Sequence, residues 1–244
     1  MRHPILTCVL VMLVAHVAVG QEWVEFASAE DGFKIVFPIQ PQIQTTTYAS
    51  QYGYTLPAKI YTATSGPQRF SVTVVDYRGI QQQALARACP KGPDTCRRSA
   101  LTPVIGEGEW RNDVRGAITF ALNRFTQRDA KITSILGESQ DLVEATMVQL
   151  TNADRSRTFA SISMHDNRLY IVEGTAPAVG YPPPTAFHQA LGFVDAQGNG
   201  IRYQRIYSNA YHGMGEYPAP PRAGQGGGGA PAQQQQQPAQ APAR

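Results

Sequence analysis

Apolar and polar residues alternate along most of the chain, and this pattern is typical of strands with one buried face. Val72 and Val74, for example, point to the side opposite Ser71 and Thr73. Short polar turns separate these segments, so neighbouring strands should be antiparallel. The pattern predicts strands at residues 23–26, 33–37, 45–48, 58–64, 70–77, 132–136, 144–150, 158–164, 169–174 and 201–206.

Residues 110–125 have a different period, because their apolar residues recur every three or four positions. This predicts an amphipathic helix of about four turns. We expect Ile118 and Leu122 to be buried, and Arg115 and Arg124 to face solvent. A membrane-surface helix is the alternative, but the polar side also carries an acid, which favours core packing. A second, shorter helix is predicted at 185–193.

Strand blocks separated by two helices predict an α+β fold, a curved antiparallel sheet with helices packed on it. The composition supports a folded chain. With 42% hydrophobic and 16% charged residues in 244, it excludes both a polytopic membrane protein and a wholly disordered one.

The two ends of the chain differ from the rest. A basic start at Arg2, an apolar run over 5–19 and small residues at Ala18 and Gly20 are typical of a secretory signal peptide cleaved before Gln21. An uncleaved anchor is the alternative, although the run is short for a membrane span. The predicted organisation is a signal peptide at 1–20, a single domain at 21–212, and a disordered tail rich in Gly, Pro and Gln at 213–244. The protein should be exported, periplasmic or extracellular, with no stable membrane span after leader removal.

The net charge is +3, and loss of Arg2 with the leader leaves 20 basic and 18 acidic residues, a net charge of +2. Binding to nucleic acid requires a basic patch or stripe that neutralises phosphates, so we expect no nucleic-acid partner.

Two cysteines remain in the mature chain, Cys89 and Cys96, on either side of a turn-rich segment with two prolines. In an oxidising compartment they should form a disulfide, which would stabilise the fold by about 2.5 kcal/mol in a loop-entropy model. A redox or metal role is the alternative, but the spacing is not C-x-x-C and no second Cys/His pair has zinc spacing.

The sequence contains no motif of a known catalytic site, neither H-E-x-x-H nor G-x-S-x-G nor a phosphate-binding loop. We expect no cofactor and no metal, and favour a protein that is not an enzyme. A hydrolase that uses Glu107, Glu109, His165 or Asp166 is the alternative. The simpler interpretation places the glutamates at a helix start and His165 in an exposed turn. His188 should be solvated on the polar face of the last helix.

Tyrosines are the one hint of a binding surface. The candidates are Tyr48, Tyr52, Tyr54, Tyr207 and Tyr211, which cluster in a polar segment and near the tail. Surface tyrosines suit contact with an envelope protein or a glycan. They suit the faces of strands equally well.

Three motifs resemble a known family. They are S-x-E-D-G-F-x-I-x-F-P over 28–38, N-R-L-Y over 167–170, and F-x-x-A-L-x-F over 187–193. With Trp23 and Arg157-x-Phe159, they resemble exported bacterial proteins of the PsbP/Mog-like superfamily, over most of 22–206. The resemblance implies an αβα sandwich. It also implies an accessory, chaperone-like or partner-binding role without a catalytic centre.

We therefore expect an exported, non-enzymatic accessory or partner-binding protein of the cell envelope. Besides the hydrolase, a carrier of a small apolar ligand is an alternative, and it would require a cavity between sheet and helix.

Overall fold

The computed structural model describes residues 23–88 and 109–209. The predicted leader, both cysteines, Glu107, Tyr211 and the predicted tail lie outside these residues. Within them, the strands are β1 (Val24–Ser28), β2 (Phe33–Phe37), β3 (Gln42–Ala49), β4 (Thr55–Ser65), β5 (Gln68–Asp76), β6 (Ala130–Gln140), β7 (Val143–Asn152), β8 (Arg157–His165), β9 (Arg168–Ala176) and β10 (Gly192–Phe193). The helices are α1 (Ile80–Ala88), α2 (Glu109–Thr126) and α3 (Thr185–His188).

Seven strands form one antiparallel sheet in the order β3-β4-β5-β9-β8-β7-β6. The hairpins within it are tight. Asp166 and Asn167 join β8 to β9 with φ angles of 48° and 53°. A two-residue turn of this kind needs positive φ at both positions, which Asp and Asn tolerate better than most residues.

Helix α2 packs on one face of the seven-stranded sheet. Its buried apolar residues are Val114, Ala117, Ala121 and Phe125. The small side chains of Ala117 and Ala121 let the helix backbone approach the sheet closely. The prediction that Ile118 and Leu122 are buried is wrong, because the helix is rotated so that both pack half-buried against the side of this core.

The other face is covered by a small antiparallel sheet, β1-β2-β10. Phe33, Phe37 and Phe193 of this sheet are fully buried, and Phe33 packs edge-on against Tyr61 and Tyr170 of the large sheet. The predicted fold class is therefore wrong in its layers, although the chain does contain both helices and antiparallel strands. The protein is mostly strand, and two sheets pack together where a second helical layer was expected.

Two local differences from the predicted elements accompany this arrangement of layers. The predicted helix at 185–193 is a single turn, and Gly192 and Phe193 pair instead with β2. The predicted strand at 201–206 is absent; one parallel bridge joins Tyr207 to Val143. Helix α1 was not predicted, because its exposed glutamines give the segment no clear apolar period.

The turn before β2 fixes the small sheet on the large one. The Asp31 carboxylate accepts hydrogen bonds from the Tyr61 hydroxyl and from Lys59 Nζ at 3.0 Å. The Asp31 carbonyl oxygen accepts one from the Tyr170 hydroxyl at 2.7 Å. Gly32 has a φ of +72°, and a Cβ there would lie 3.1 Å from the Tyr170 oxygen. The E-D-G motif is thus a packing motif in this chain.

Candidate functional site

The tyrosine segment at 48–54 is largely part of the core. Tyr48 and Tyr54 are buried, and only Tyr52 is exposed. The guanidinium of Arg124 lies 4.5 Å from the Tyr48 ring centre, and that of Arg87 lies 4.1 Å from the Tyr54 ring centre. Cation–π contacts with these arginines cover both rings.

Asp113 of α2 holds the turn between β3 and β4, although the helical pattern predicts it on the polar face of α2. Its side chain is fully buried and accepts hydrogen bonds from the Ser50 hydroxyl and from the backbone N–H groups of Gln51 and Tyr52, the last two at 3.2 Å. Arg87 donates to the carbonyl oxygens of Tyr52 and Gly53 at 3.0 and 2.8 Å. The turn is therefore held by one side chain of α1, Arg87, and one of α2, Asp113.

The second tyrosine group surrounds His165. The Tyr203 hydroxyl and His165 Nε2 share a hydrogen bond, and the Tyr207 ring centre lies 5.1 Å from that of the imidazole. The Tyr207 hydroxyl accepts a hydrogen bond from the Asp166 N–H at 3.3 Å and donates one to Asn209 Oδ1 at 3.1 Å. These contacts dock the segment 203–209 on the β8–β9 turn.

The prediction that His165 lies exposed in a turn is wrong, because this segment covers it and leaves it 4% exposed. Burial lowers the pKa of the imidazole to about 4, although the nearby Asp166 carboxylate opposes the shift. Burial also raises the pKa of the Tyr207 hydroxyl to about 12. His165 is therefore neutral at physiological pH and closed off from solvent.

His188 is also buried, where the sequence predicted a solvated side chain. Its ring stacks on Phe159, and its carbonyl oxygen accepts a hydrogen bond from Gln140 Nε2. Burial lowers the pKa of the imidazole. These contacts are those of a core residue.

Among the described groups of the hydrolase alternative, Glu109 does not converge with His165 and Asp166, and Glu107 lies outside the described residues. Glu109 starts α2 on one face of the large sheet, whereas His165 packs among Phe193, Tyr203 and Tyr207 on the other. In the described ranges 23–88 and 109–209, no cluster of three His, Cys, Asp or Glu side chains is placed to hold a metal ion.

A concave feature lies beyond the C-terminal end of α2, where the large sheet is uncovered. This polar cleft has a volume of about 790 Å³, which is within the usual range of ligand sites. Two rows of side chains cross its floor from strand to strand. One row is Thr64, Arg69, Thr175 and Thr158, and the next is Thr62, Ser71 and Glu173.

Hydrogen bonds organise the floor of the polar cleft. Asn152 Nδ2 donates to the hydroxyl oxygens of Ser156 and Thr158 at 2.8 and 2.9 Å. The Thr158 and Thr175 hydroxyls are bonded at 2.8 Å. The Ser156 hydroxyl donates to Asp154 at 2.6 Å, and this bond lowers the pKa of the carboxyl. These hydrogen bonds hold the polar groups in fixed positions.

Arg128 forms one wall of the polar cleft. Its guanidinium donates two hydrogen bonds to the Glu173 carboxylate, at 3.0 and 2.8 Å, and lies 4.0 Å from the ring centre of Phe125. A bidentate pair of this kind fixes both side chains. Arg128 is placed there because the chain turns back at the end of α2, where its N–H donates to the Phe125 carbonyl.

A smaller groove of about 320 Å³ continues from the polar cleft along the side of α2. This helix groove shares Ser71, Arg128 and Glu173 with the polar cleft, and Tyr48 also lines it. Of the tyrosines proposed from the sequence, Tyr48 thus lies at the site, while the binding role of all five stays a prediction.

Sequence reasoning missed the polar cleft, although one signal was present. Ser71 and Thr73 were placed on one face of a strand, opposite the apolar face. Whether a polar face is simply solvated or forms a concave site depends on which elements stop short of it, and a strand pattern does not contain that information.

The chain has little similarity to known proteins in sequence. No protein-family model and no curated protein matches the chain. The solution structure of cyanobacterial PsbP (CyanoP) from Synechocystis sp. PCC 6803 is similar to it at a TM-score of 0.40 and 12% identity, over 74% of this chain and 98% of that chain.

In the described part of the chain, none of the helices has both the length and the apolar character to cross a bilayer.

Proposed function

We propose that this is an exported binding protein whose polar cleft takes a polar partner or ligand from the cell envelope. The observation that carries the proposal is the order of the polar cleft, whose lining includes the bonded series Asn152–Thr158–Thr175 and the Arg128–Glu173 pair. Groups fixed in advance lose little conformational entropy when a ligand binds.

The two other functions considered from the sequence have less support. A carrier of a small apolar ligand would use the helix groove, which Ala121 and Phe125 line, but at about 320 Å³ this is the smaller of the two depressions. A hydrolase would need its acid and base within reach of one substrate, and Glu109 and His165 lie on opposite faces of the sheet.

Export and family remain part of the proposal. Export rests on the leader-like residues 1–20, and a distant relationship to the PsbP/Mog-like superfamily rests on the motif over 28–38. The N terminus of the protein recovered from an envelope fraction should be Gln21. A retained leader, or recovery from the cytoplasm alone, would contradict export.

Site-specific crosslinking tests the binding site in the full chain. A photo-crosslinking residue at Thr64, which is exposed in the polar cleft, should capture an envelope component. The same residue at Thr133, which is exposed on the edge strand β6, is the matched control. Capture at Thr64 alone supports the proposal. Equal capture at both positions, or none at Thr64, overturns it.

A further inference from the structure

We infer that the polar cleft and the helix groove together bind an extended, uncharged saccharide chain. This inference rests on the proposed function and names its ligand class. The two depressions share Ser71, Arg128 and Glu173, so they form one continuous path across the sheet face. Their volumes of about 790 and 320 Å³ suit a chain of several units more than a single sugar unit.

The chemistry of the floor favours hydroxyl groups over a peptide backbone. The floor is the face of paired strands β4, β5, β9 and β8, whose backbone N–H and C=O groups are engaged with their neighbours. An extended peptide is usually captured at an open sheet edge through its backbone, which this floor does not offer. It offers side-chain hydroxyls, which both donate and accept. Sugar hydroxyls have the same dual capacity.

The charges of the polar cleft favour a neutral ligand. Arg128 is paired with Glu173, and the positive field of Arg69 contributes to lowering the pKa of the Asp154 carboxyl. Two arginines and three acids therefore nearly compensate one another, with Asp129 as the third acid. No strong net field remains to select an ion, while the exposed Arg69 guanidinium and Asp129 carboxylate can make hydrogen bonds to sugar hydroxyls.

One side of the polar cleft is apolar. Its apolar residues with accessible side chains are Pro67, Pro177 and Ala178. A sugar ring has a polar rim and C–H faces, so a site with hydroxyls below and an apolar wall beside them matches both parts of the ring.

Titration calorimetry with defined oligosaccharides tests the inference. The probes are cellohexaose, maltohexaose and chitohexaose, each compared with its disaccharide, on the mature chain. At least one hexasaccharide should bind, and at least tenfold more tightly than its disaccharide, because only the longer chain reaches both depressions. Arg69→Ala and Asp129→Ala, both exposed in the polar cleft, should each weaken binding tenfold or more.

Arg202→Ala and Glu25→Ala are the matched controls, since both residues are exposed and neither lines the polar cleft or the helix groove. They should bind as the parent does. Binding that all four variants weaken equally, or that no variant weakens, overturns the inference. If no oligosaccharide binds but Thr64 crosslinks an envelope protein, the saccharide inference fails and the proposed function stands. If neither happens, both fail.

Discussion

Removal of the Asp113 side chain should destabilise the fold strongly, although Asp113 is a charged residue of an amphipathic helix. Its carboxylate is fully buried and receives three hydrogen bonds, from Ser50, Gln51 and Tyr52. A hydrogen bond to a charged group contributes about 1.5–3 kcal/mol. The buried charge itself is costly, which offsets part of that sum. We therefore expect Asp113→Ala to lower the free energy of unfolding by about 3 kcal/mol.

Urea denaturation followed by far-UV circular dichroism measures this loss. Asn112→Ala, an exposed neighbour on the same helix, is the matched control and should change the free energy of unfolding by less than about 0.5 kcal/mol. If Asp113→Ala unfolds at the same urea concentration as the control, the three hydrogen bonds do not hold the turn and the reasoning fails.

The pH dependence gives a second test of the same residue. Burial, the largest effect, raises the pKa of the Asp113 carboxyl above 3.8, while the hydrogen bond from Ser50 lowers it. Between the pKa of 3.8 in the unfolded chain and the higher pKa in the fold, the folded state binds more protons than the unfolded state. The contribution of Asp113 to the free energy of unfolding must therefore fall as the pH rises through this window. Asp113→Asn has no such titration, so the stability of the parent minus that of the variant should decrease over the window. A difference that increases would contradict the direction of the shift.

Two further predictions concern buried positions. Gly174→Ala should destabilise the protein by about 1–3 kcal/mol, because the added Cβ would lie 2.8 Å from the Cβ of Pro184. The control is Gly137→Ala, whose added Cβ has no atom within 4 Å. In the same urea assay it should unfold close to the parent. His165, with a pKa of about 4 in the fold against 6.5 otherwise, should make the protein less stable as pH falls from 6.5 toward 4, since the unfolded state then binds more protons. An ordinary imidazole pKa in an NMR titration would contradict this prediction. So would a His165→Gln variant whose free energy of unfolding depends on pH in the same way as that of the parent.

The local elements were predictable from the sequence because their signals are local. The alternation over 158–164 and 169–174 identified β8 and β9, and the short turn between them indicated an antiparallel pair. The period of 110–125 identified α2 within a residue at either end. Each of these inferences needs only neighbouring residues and the geometry of one element.

The arrangement of layers was not predictable in this way, because it depends on contacts between distant parts of the chain. Phe33 and Phe193 are far apart in sequence, yet they pair in the small sheet and decide what covers the second face. The same holds for His165, whose burial is due to a segment about forty residues later. Alternation shows that a strand has an apolar face, but not which element covers it.

The end of α2 explains why the polar cleft lies where it does. Along the sheet face, the row Ile60, Thr73, Ile171 and Ile162 gives way to the row Thr62, Ser71, Glu173 and Ala160. The change coincides with Phe125, the last buried residue of α2, so the face turns polar where the helix stops covering it. Exposure alone would account for that polarity. It does not account for an arginine fixed by both a ring and a carboxylate. A solvated face needs no such order, whereas a surface that must recognise a ligand benefits from it because the ordering entropy is lost on folding instead of on binding.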